Sequence, residues 1–288
     1  MNDSNRGMIE AWNSVLFTKY SRFKHLLVDG LSQHSEAAFE RCGYPQGARV
    51  LDIGCGFGDC TLGIAQRVGP SGEAVGIDCA ENFIRAAETE ARKASIGNAR
   101  FFVGDAQSGE LGGPYDYAFA RMGTMFFAKP EQAMANIRQA LNPSGVFTQI
   151  VWRRRDENPW LHEAELCVKK ILPVMEPQGT NQGPNGPGPF SMTAPDAVST
   201  MLQGAGFARV TFERHDCDIC IGRDLDDAIE FALAFGPSGE AVRLAGAEGE
   251  KRKPQLVTAL KQTLAPFARP DGLWAPSSTW FISATNPS

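Results

Sequence analysis

From Ala48 onward the chain alternates short apolar runs with stretches whose apolar residues recur at helical spacing. Val50-Leu51-Asp52-Ile53 is the first such run, the pattern of a strand buried on both faces, and it ends in Gly54, Gly56 and Gly58. In Thr61 to Val68, Leu62, Ala65 and Val68 are spaced three apart, the rhythm of a helix. Strands are predicted at Arg49–Ile53, Glu73–Ile77, Ala99–Val103, Tyr115–Ala120 and Val146–Trp152. Helices are predicted at Ala80–Ala94 and Pro130–Leu141, and Asn142-Pro-Ser-Gly145 reads as a turn. Such alternation predicts a parallel sheet with helices on both faces.

Two excursions interrupt this rhythm. Asp156 to Met192 begins as a helix (Pro159–Val174) and becomes a Gly/Pro/Asn-rich loop, Gln178–Pro189. A helix at Ala194–Gly206 and a sixth strand at Phe207–Cys217 restore the pattern. The second excursion, Gly222 to about Pro276, carries helices at Leu225–Phe235, Ser238–Ala247 and Pro254–Ala268, before a closing strand at Ser278–Ala284. Ahead of the core, Met8 to Arg41 reads as two helices, the first with Trp12, Leu16 and Tyr20. The division expected is one catalytic domain over 1–288. Its core is 45–152, 193–221 and 277–286, with N-terminal helices at 8–41 and lids at 153–192 and 222–276. Both lids leave from carboxyl ends of strands, where open α/β sheets bind ligands, so they are expected to cover the crevice.

Composition narrows the function. The 288 residues can bury a large core, and the net charge of -5 disfavours a nucleic-acid partner. Arg153-Arg154-Arg155 and Lys251-Arg252-Lys253 are short basic runs on an acidic background. No run is long enough to span a bilayer, so a cytoplasmic protein with no membrane partner is expected, and a homodimer is compatible with the chain. The seven cysteines are read as reduced thiols. Cys217-Asp-Ile-Cys220 is a lone pair with only His215 close by in sequence, so no metal site is expected.

The glycine rhythm Asp52-x-Gly54-x-Gly56-x-Gly58 differs from the dinucleotide fingerprint G-x-G-x-x-G, which counts against a nicotinamide-dependent oxidoreductase. It resembles motif I of the class I S-adenosylmethionine (SAM) dependent methyltransferases. Val50 to Trp152 is similar to the core of small-molecule members of that family, including the ubiquinone and menaquinone biosynthesis type. Ala120-Arg-Met-Gly-Thr-Met-Phe-Phe127, Asn142-Pro-Ser-Gly145, Asn158-Pro-Trp160, and Pro189-Phe190 ahead of Ala205-Gly-Phe207 resemble a bacterial subgroup with an inserted helical cap. The resemblance implies a doubly wound, mostly parallel seven-stranded α/β sheet, Rossmann-like, with helical lids. It also implies SAM as cofactor. Asp52 would accept from the SAM ammonium, and the backbone at Gly54, Cys55, Gly56 and Gly58 would approach the tail and ribose. Asp78, beside Cys79, would take the ribose hydroxyls, while Asp105 and Ala106 would meet the adenine. Arg121 and Met122 would lie beside the methionine and sulfonium, with Tyr20 completing the cofactor set.

Two family patterns are missing. No Asn/Asp-Pro-Pro-Tyr follows the fourth strand, which argues against nucleobase or amide nitrogens as acceptors. No carboxylate cluster is available for Mg²⁺, since Asp156-Glu157 stands alone. The expected reaction is therefore a metal-free, in-line O-, N- or C-methylation of a small molecule. The alternative is a SAM-binding protein that does not methylate or uses SAM for another reaction. His162 is the candidate general base by location, ahead of His215, His25 and His34. Trp12, Phe17, Phe126, Phe127, Trp152, Trp160 and Phe190 are the candidate walls of the acceptor pocket.

Overall fold

The computed structural model describes residues 3–172 and 186–287; the end of the helix predicted to Val174 and most of the loop predicted at Gln178–Pro189 lie outside them. The strands are β1 (Arg49–Ile53), β2 (Glu73–Asp78), β3 (Ala99–Val103), β4 (Tyr115–Arg121), β5 (Leu141–Trp152), β6 (Ala208–Gly222), β7 (Ala268–Arg269) and β8 (Gly272–Thr285). They form one sheet in the order β3-β2-β1-β4-β5-β8-β6. The first five strands of that order run parallel, and β8 and β6 are antiparallel to their neighbours. The expected doubly wound sheet is present, with β7 as a two-residue eighth strand paired to β8.

Residues alternate between the two faces of each strand. On one face Val50, Ala74, Phe119, Ile150 and Phe281 pack against α4 (Ser32–Cys42) and α5 (Asp59–Val68) through Phe39, Ile64 and Val68. On the other, Leu51, Ile53, Val75, Ile77 and Phe147 share a core with α7 (Pro130–Gln139) and α9 (Pro195–Gly204), through Ile137 and Leu202. Before the core lie α1 (Asp3–Ala11), a π-helical turn at Trp12–Leu16, α2 (Phe17–Arg22) and α3 (Lys24–Leu27). The first predicted helix is thus broken into pieces that wrap the top of the sheet. The core also carries α6 (Glu81–Ala94). The excursions supply α8 (Pro159–Ile171), α10 (Leu225–Ala234), α11 (Gly236–Ala245) and α12 (Ala247–Leu264). In this group α8 packs against both α11 and α12, so the two excursions form one helical layer.

Several boundaries differ from the expectation, each for a physical reason. The Asn142–Gly145 turn lies inside β5, where pairing jumps from Tyr115↔Leu141 to Tyr117↔Val146. Its polar groups are absorbed by the sheet: Asn142 Nδ2 donates to Asp116 Oδ1 at 2.8 Å and Ser144 N donates to Asn286 O at 2.9 Å. β6 and β8 extend well past Cys217 and before Ser278 because they pair with each other, from Ala208↔Thr285 to Gly222↔Leu273. The helix expected to start at Pro254 begins at Ala247 and holds that proline inside it. Proline forfeits one hydrogen bond there, and buried Leu256, Leu260 and Leu264 hold the helix in place.

Phe119 is fully buried in the central strand β4, 5.1 Å from the Phe39 ring on α4. Phe119→Ala should cost about 3–5 kcal/mol of stability. Urea unfolding checks this, and a loss well below that range would mean that α4 is not seated on the sheet.

Candidate active site

β1 ends at Ile53, and the chain turns through Gly54 at φ 68° and Gly56 at φ 54°, a region that disfavours side chains. A Cβ on Gly54 would come within 3.3 Å of Gly123 Cα, so the turns after β1 and β4 touch through glycines. A Cβ on Gly56 would meet open space, which leaves a cradle above its backbone. Gly58 serves packing instead. Its Cβ would fall 2.8 Å from Ala87 Cβ and 3.0 Å from the Phe101 ring, where α6 and β3 close on the start of α5.

Two acids flank this turn, Asp52 buried and Asp78 half-buried. Asp78 Oδ2 accepts from Gly56 N at 3.0 Å and Oδ1 accepts from Ala80 N at 2.9 Å. Burial pushes its pKa up to about 6, against the pull of those amides. Asp52 lies deeper, 2% exposed, and accepts from Thr61 Oγ1 at 2.6 Å. Burial drives its pKa up to about 7, opposed first by the Thr61 hydrogen bond. The structure thus places Asp78 at the rim and Asp52 beneath the turn. Cys55 is buried, its thiol pushed well up by burial with further contributions from Asp78, Asp52 and Asp59. The Cys79 thiol lies between the charges of Asp78 and Asp105, and burial with those charges raises it to about 12.

The tips of β3 and β4 complete the row. Asp105 accepts from Gln107 N and Ser108 Oγ, both at 2.9 Å, so its carboxylate shapes its own turn. Ala106 is buried, and its carbonyl accepts from Asn136 Nδ2 at 3.0 Å. Arg121 was expected beside the methionine, but its guanidinium turns towards α4 and α5. It pairs with Asp59 at 2.7 Å and donates to Ser35 Oγ at 2.8 Å. That direction follows from charge, since Asp59 stands at the start of α5 directly behind the turn. Met122 takes φ 58° and donates its amide to Ile150 O at 2.9 Å, a strained backbone at the rim of the cleft.

The aromatic candidates fall into groups. Trp12 meets Tyr20 at 5.2 Å and Phe126 at 5.5 Å between ring centroids, which brings the N-terminal segment onto the loop after β4. Asp78 adds to the burial that raises the Tyr20 hydroxyl pKa, so Tyr20 lies within the field of that acid. Phe17 sits between Phe57 and Phe83, next to the glycine turn. Trp152 packs on Trp160, which stacks on Phe231 at 5.8 Å. The two groups join through Phe231, Phe235 and Tyr20, with centroids 5.1 and 4.9 Å apart. Phe127 packs into the main core, and Phe190 lies under the Arg155 guanidinium; neither shares a ring contact with these groups.

His162 is two residues beyond Trp160 on α8, so the two side chains leave different faces of that helix. It lies within the field of Asp156 and shares no ring contact with the aromatic groups among the described residues. Phe83, Phe231, Phe235 and Thr61 were not singled out in the sequence. Phe231 and Phe235 are spaced four apart on a predicted helix, which was the available signal for a shared face.

Residues 45–178 match the family described as a methyltransferase domain. The nocamycin O-methyltransferase of Saccharothrix syringae is 31% identical over 183 residues, covering 60% of this chain and 64% of that protein. The demethylmenaquinone methyltransferase of Staphylococcus aureus is 26% identical over 177 residues, covering 60% of this chain and 72% of its own length. The fold is similar to that of the YcgJ protein from Bacillus subtilis, with a TM-score of 0.58 at 17% identity over 89% of this chain and 99% of that one.

The raised acids set a pH dependence. An unfolded aspartate releases its proton near pH 4, whereas Asp52 in the folded chain holds its own to about 7. Between those values the folded state binds more protons, so stability falls as pH rises. The urea midpoint should decline across that window, and Asp52→Asn should flatten the decline. An unchanged slope in the variant would place the effect elsewhere.

Proposed function

We propose that this chain, a member of the class I SAM-dependent methyltransferases, moves a methyl group from SAM onto a small, planar, largely apolar acceptor. The observation that carries this reading is the Asp78 carboxylate, fixed by the Gly56 and Ala80 amides beside the open cradle of the glycine turn. An adenosyl group needs an acceptor pair for two adjacent hydroxyls next to a backbone that can approach closely, and these residues offer both.

When bound, SAM would supply an activated methyl group on its sulfonium for transfer to the acceptor. The chain's residues bind and orient. Asp78 would hold the ribose hydroxyls, and Gly54 to Gly56 the tail. Ala106, at the tip of β3, would border the adenine. Asp52 acts from below by setting the charge under the turn. Trp12, Tyr20 and Phe126 would flank the acceptor and exclude water, with Trp152, Trp160 and Phe231 behind them. Trp160 Nε1 is buried without a partner among the described residues. An indole N–H only donates, so an oxygen on the acceptor would satisfy it. The sulfonium is already activated, so orientation and a dry site supply most of the catalysis. That supports a displacement without a metal at the reacting atoms. The relatives, an O-methyltransferase and a demethylmenaquinone methyltransferase, fit an oxygen-bearing or quinone-like acceptor.

Asp78→Ala should weaken SAM binding by about ten- to a hundredfold, the worth of losing charge-assisted hydrogen bonds. Calorimetry measures it, and unchanged affinity would remove Asp78 from the cofactor site. Phe126→Ala should raise the acceptor KM about tenfold with little change in SAM affinity. Equal losses for both ligands would sink the assignment of that ring to the acceptor. Labelled methyl transfer to a panel of phenols and quinols decides the activity itself: tight SAM binding with no labelled product would favour a protein that binds SAM without methylating.

A further inference from the structure

The far edge of the sheet holds a second cluster. β6 places His215 and Cys217 two apart on one face, in register with Thr279 and Ser277 of β8. α4 lies over that face and inserts His34, which is fully buried. Cys217 Sγ is 3.6 Å from both ring nitrogens of His34, and the His34 and His215 centroids are 5.2 Å apart. Donor atoms of all three residues lie within 4.8 Å of one another.

Proton accounting shows what this cluster lacks. Ser277 Oγ donates to Cys217 O and Thr279 Oγ1 donates to His215 O, both at 3.0 Å. With the hydroxyl protons so placed, both oxygens accept from His34. In that tautomer His34 Nε2, 2.8 Å from Ser277 Oγ, carries the ring proton, and Nδ1, 3.4 Å from Thr279 Oγ1, is left with its lone pair. His215 Nε2 is likewise buried with no partner among the described residues. Two imidazole nitrogens without donors thus face one thiol.

We propose that His34, His215 and Cys217 bind one thiophilic divalent transition-metal ion, zinc(II) by chemistry, which pins α4 to the β6–β8 edge of the sheet. Zn–N near 2.0 Å and Zn–S near 2.3 Å put tetrahedral donors about 3.5 Å apart; Cys217 Sγ is at that range from His34, and a swing of its side chain towards the Nδ1 lone pair would let the two share an ion. Nitrogen and sulfur without a carboxylate select zinc over magnesium or calcium. Ser277 acts as an outer partner that fixes the His34 tautomer and ring plane. Binding displaces the Cys217 proton to solvent, and water takes the fourth position. The ion has a mechanical consequence for the cleft, because Ser35, next to His34 on α4, accepts from the Arg121 guanidinium that pairs with Asp59.

Cobalt(II) titration of the chelator-treated full chain tests the proposal. One equivalent should produce a thiolate-to-cobalt charge-transfer band with tetrahedral visible bands, and zinc should displace it. Cys217→Ser should abolish the charge-transfer band, while Cys220→Ser leaves it intact. His215→Ala, on an edge strand where folding tolerates truncation, should weaken cobalt binding by about tenfold or more. No band in the unaltered chain, or a band that persists in Cys217→Ser, overturns the site. SAM affinity, measured separately on the metal-free chain, tests the proposed function and does not decide the metal site.

Discussion

The Asp78 carboxylate accepts from Gly56 in the turn after β1 and from Ala80 at the start of α6, and so ties two neighbouring strand tips to one helix. Gly54 N and Cys55 N reinforce the tie by donating to Ile77 O at 2.8 and 3.0 Å. The bonds hold the glycine turn in shape before any ligand arrives. A preorganised backbone spends little ligand affinity on ordering itself. It also leaves the half-buried acid able to accept further donors, since desolvation opposes its charge and only a few amides counter it. The turn is therefore both the rigid element of the site and its main source of electrostatic demand.

The N-terminal segment and α10, proposed to enclose the cleft, are held differently. The N-terminal segment meets α10 through Phe23, whose ring lies 5.4 Å from Phe231 and 5.6 Å from Phe235. Polar ties run in parallel: Lys19 Nζ donates to Ala234 O, Arg22 pairs with Glu230, and His25 contacts Asp227 at 2.8 Å. The Arg22–Glu230 pair is mostly exposed and contributes little. Burial of Phe23 and Phe231 dominates, at about 1.5–3 kcal/mol each. Lifting the segment from the cap must expose both rings together, which makes closure cooperative.

Much of this was readable in the sequence, because it depends on local pattern. Period and apolar runs placed β1 to β5, and a glycine-rich turn at a strand end located the cradle. The side-chain directions were not readable. Arg121 sits at a strand tip, and only the folded position of Asp59 and Ser35 shows that it points behind the turn. His162 was favoured for its neighbour Trp160, yet helical geometry sends the two apart. His34, His215 and Cys217 meet across some 180 residues of chain, a juxtaposition set by α4 covering the β6–β8 edge. The long β6–β8 pairing escaped for a related reason: each strand extends because the other does.

A physical asymmetry explains why the resemblance carries a cofactor more readily than an acceptor. At the strand tips the determinants are mostly backbone: the Gly54 and Gly56 conformations, the amides on Asp78, and the Ala106 peptide. Such contacts survive substitution at neighbouring positions and stay recognisable at low identity. The proposed acceptor walls are side chains drawn from four separate places, Trp12 and Tyr20, Phe126, Trp152, and the α8 and α10 aromatics. Apart from Trp152, which pairs with Thr279 at the end of β5, these side chains lie outside the sheet and can change size without shifting a strand's register. Selectivity can therefore drift in the helical additions while the sheet beneath them keeps the same grip.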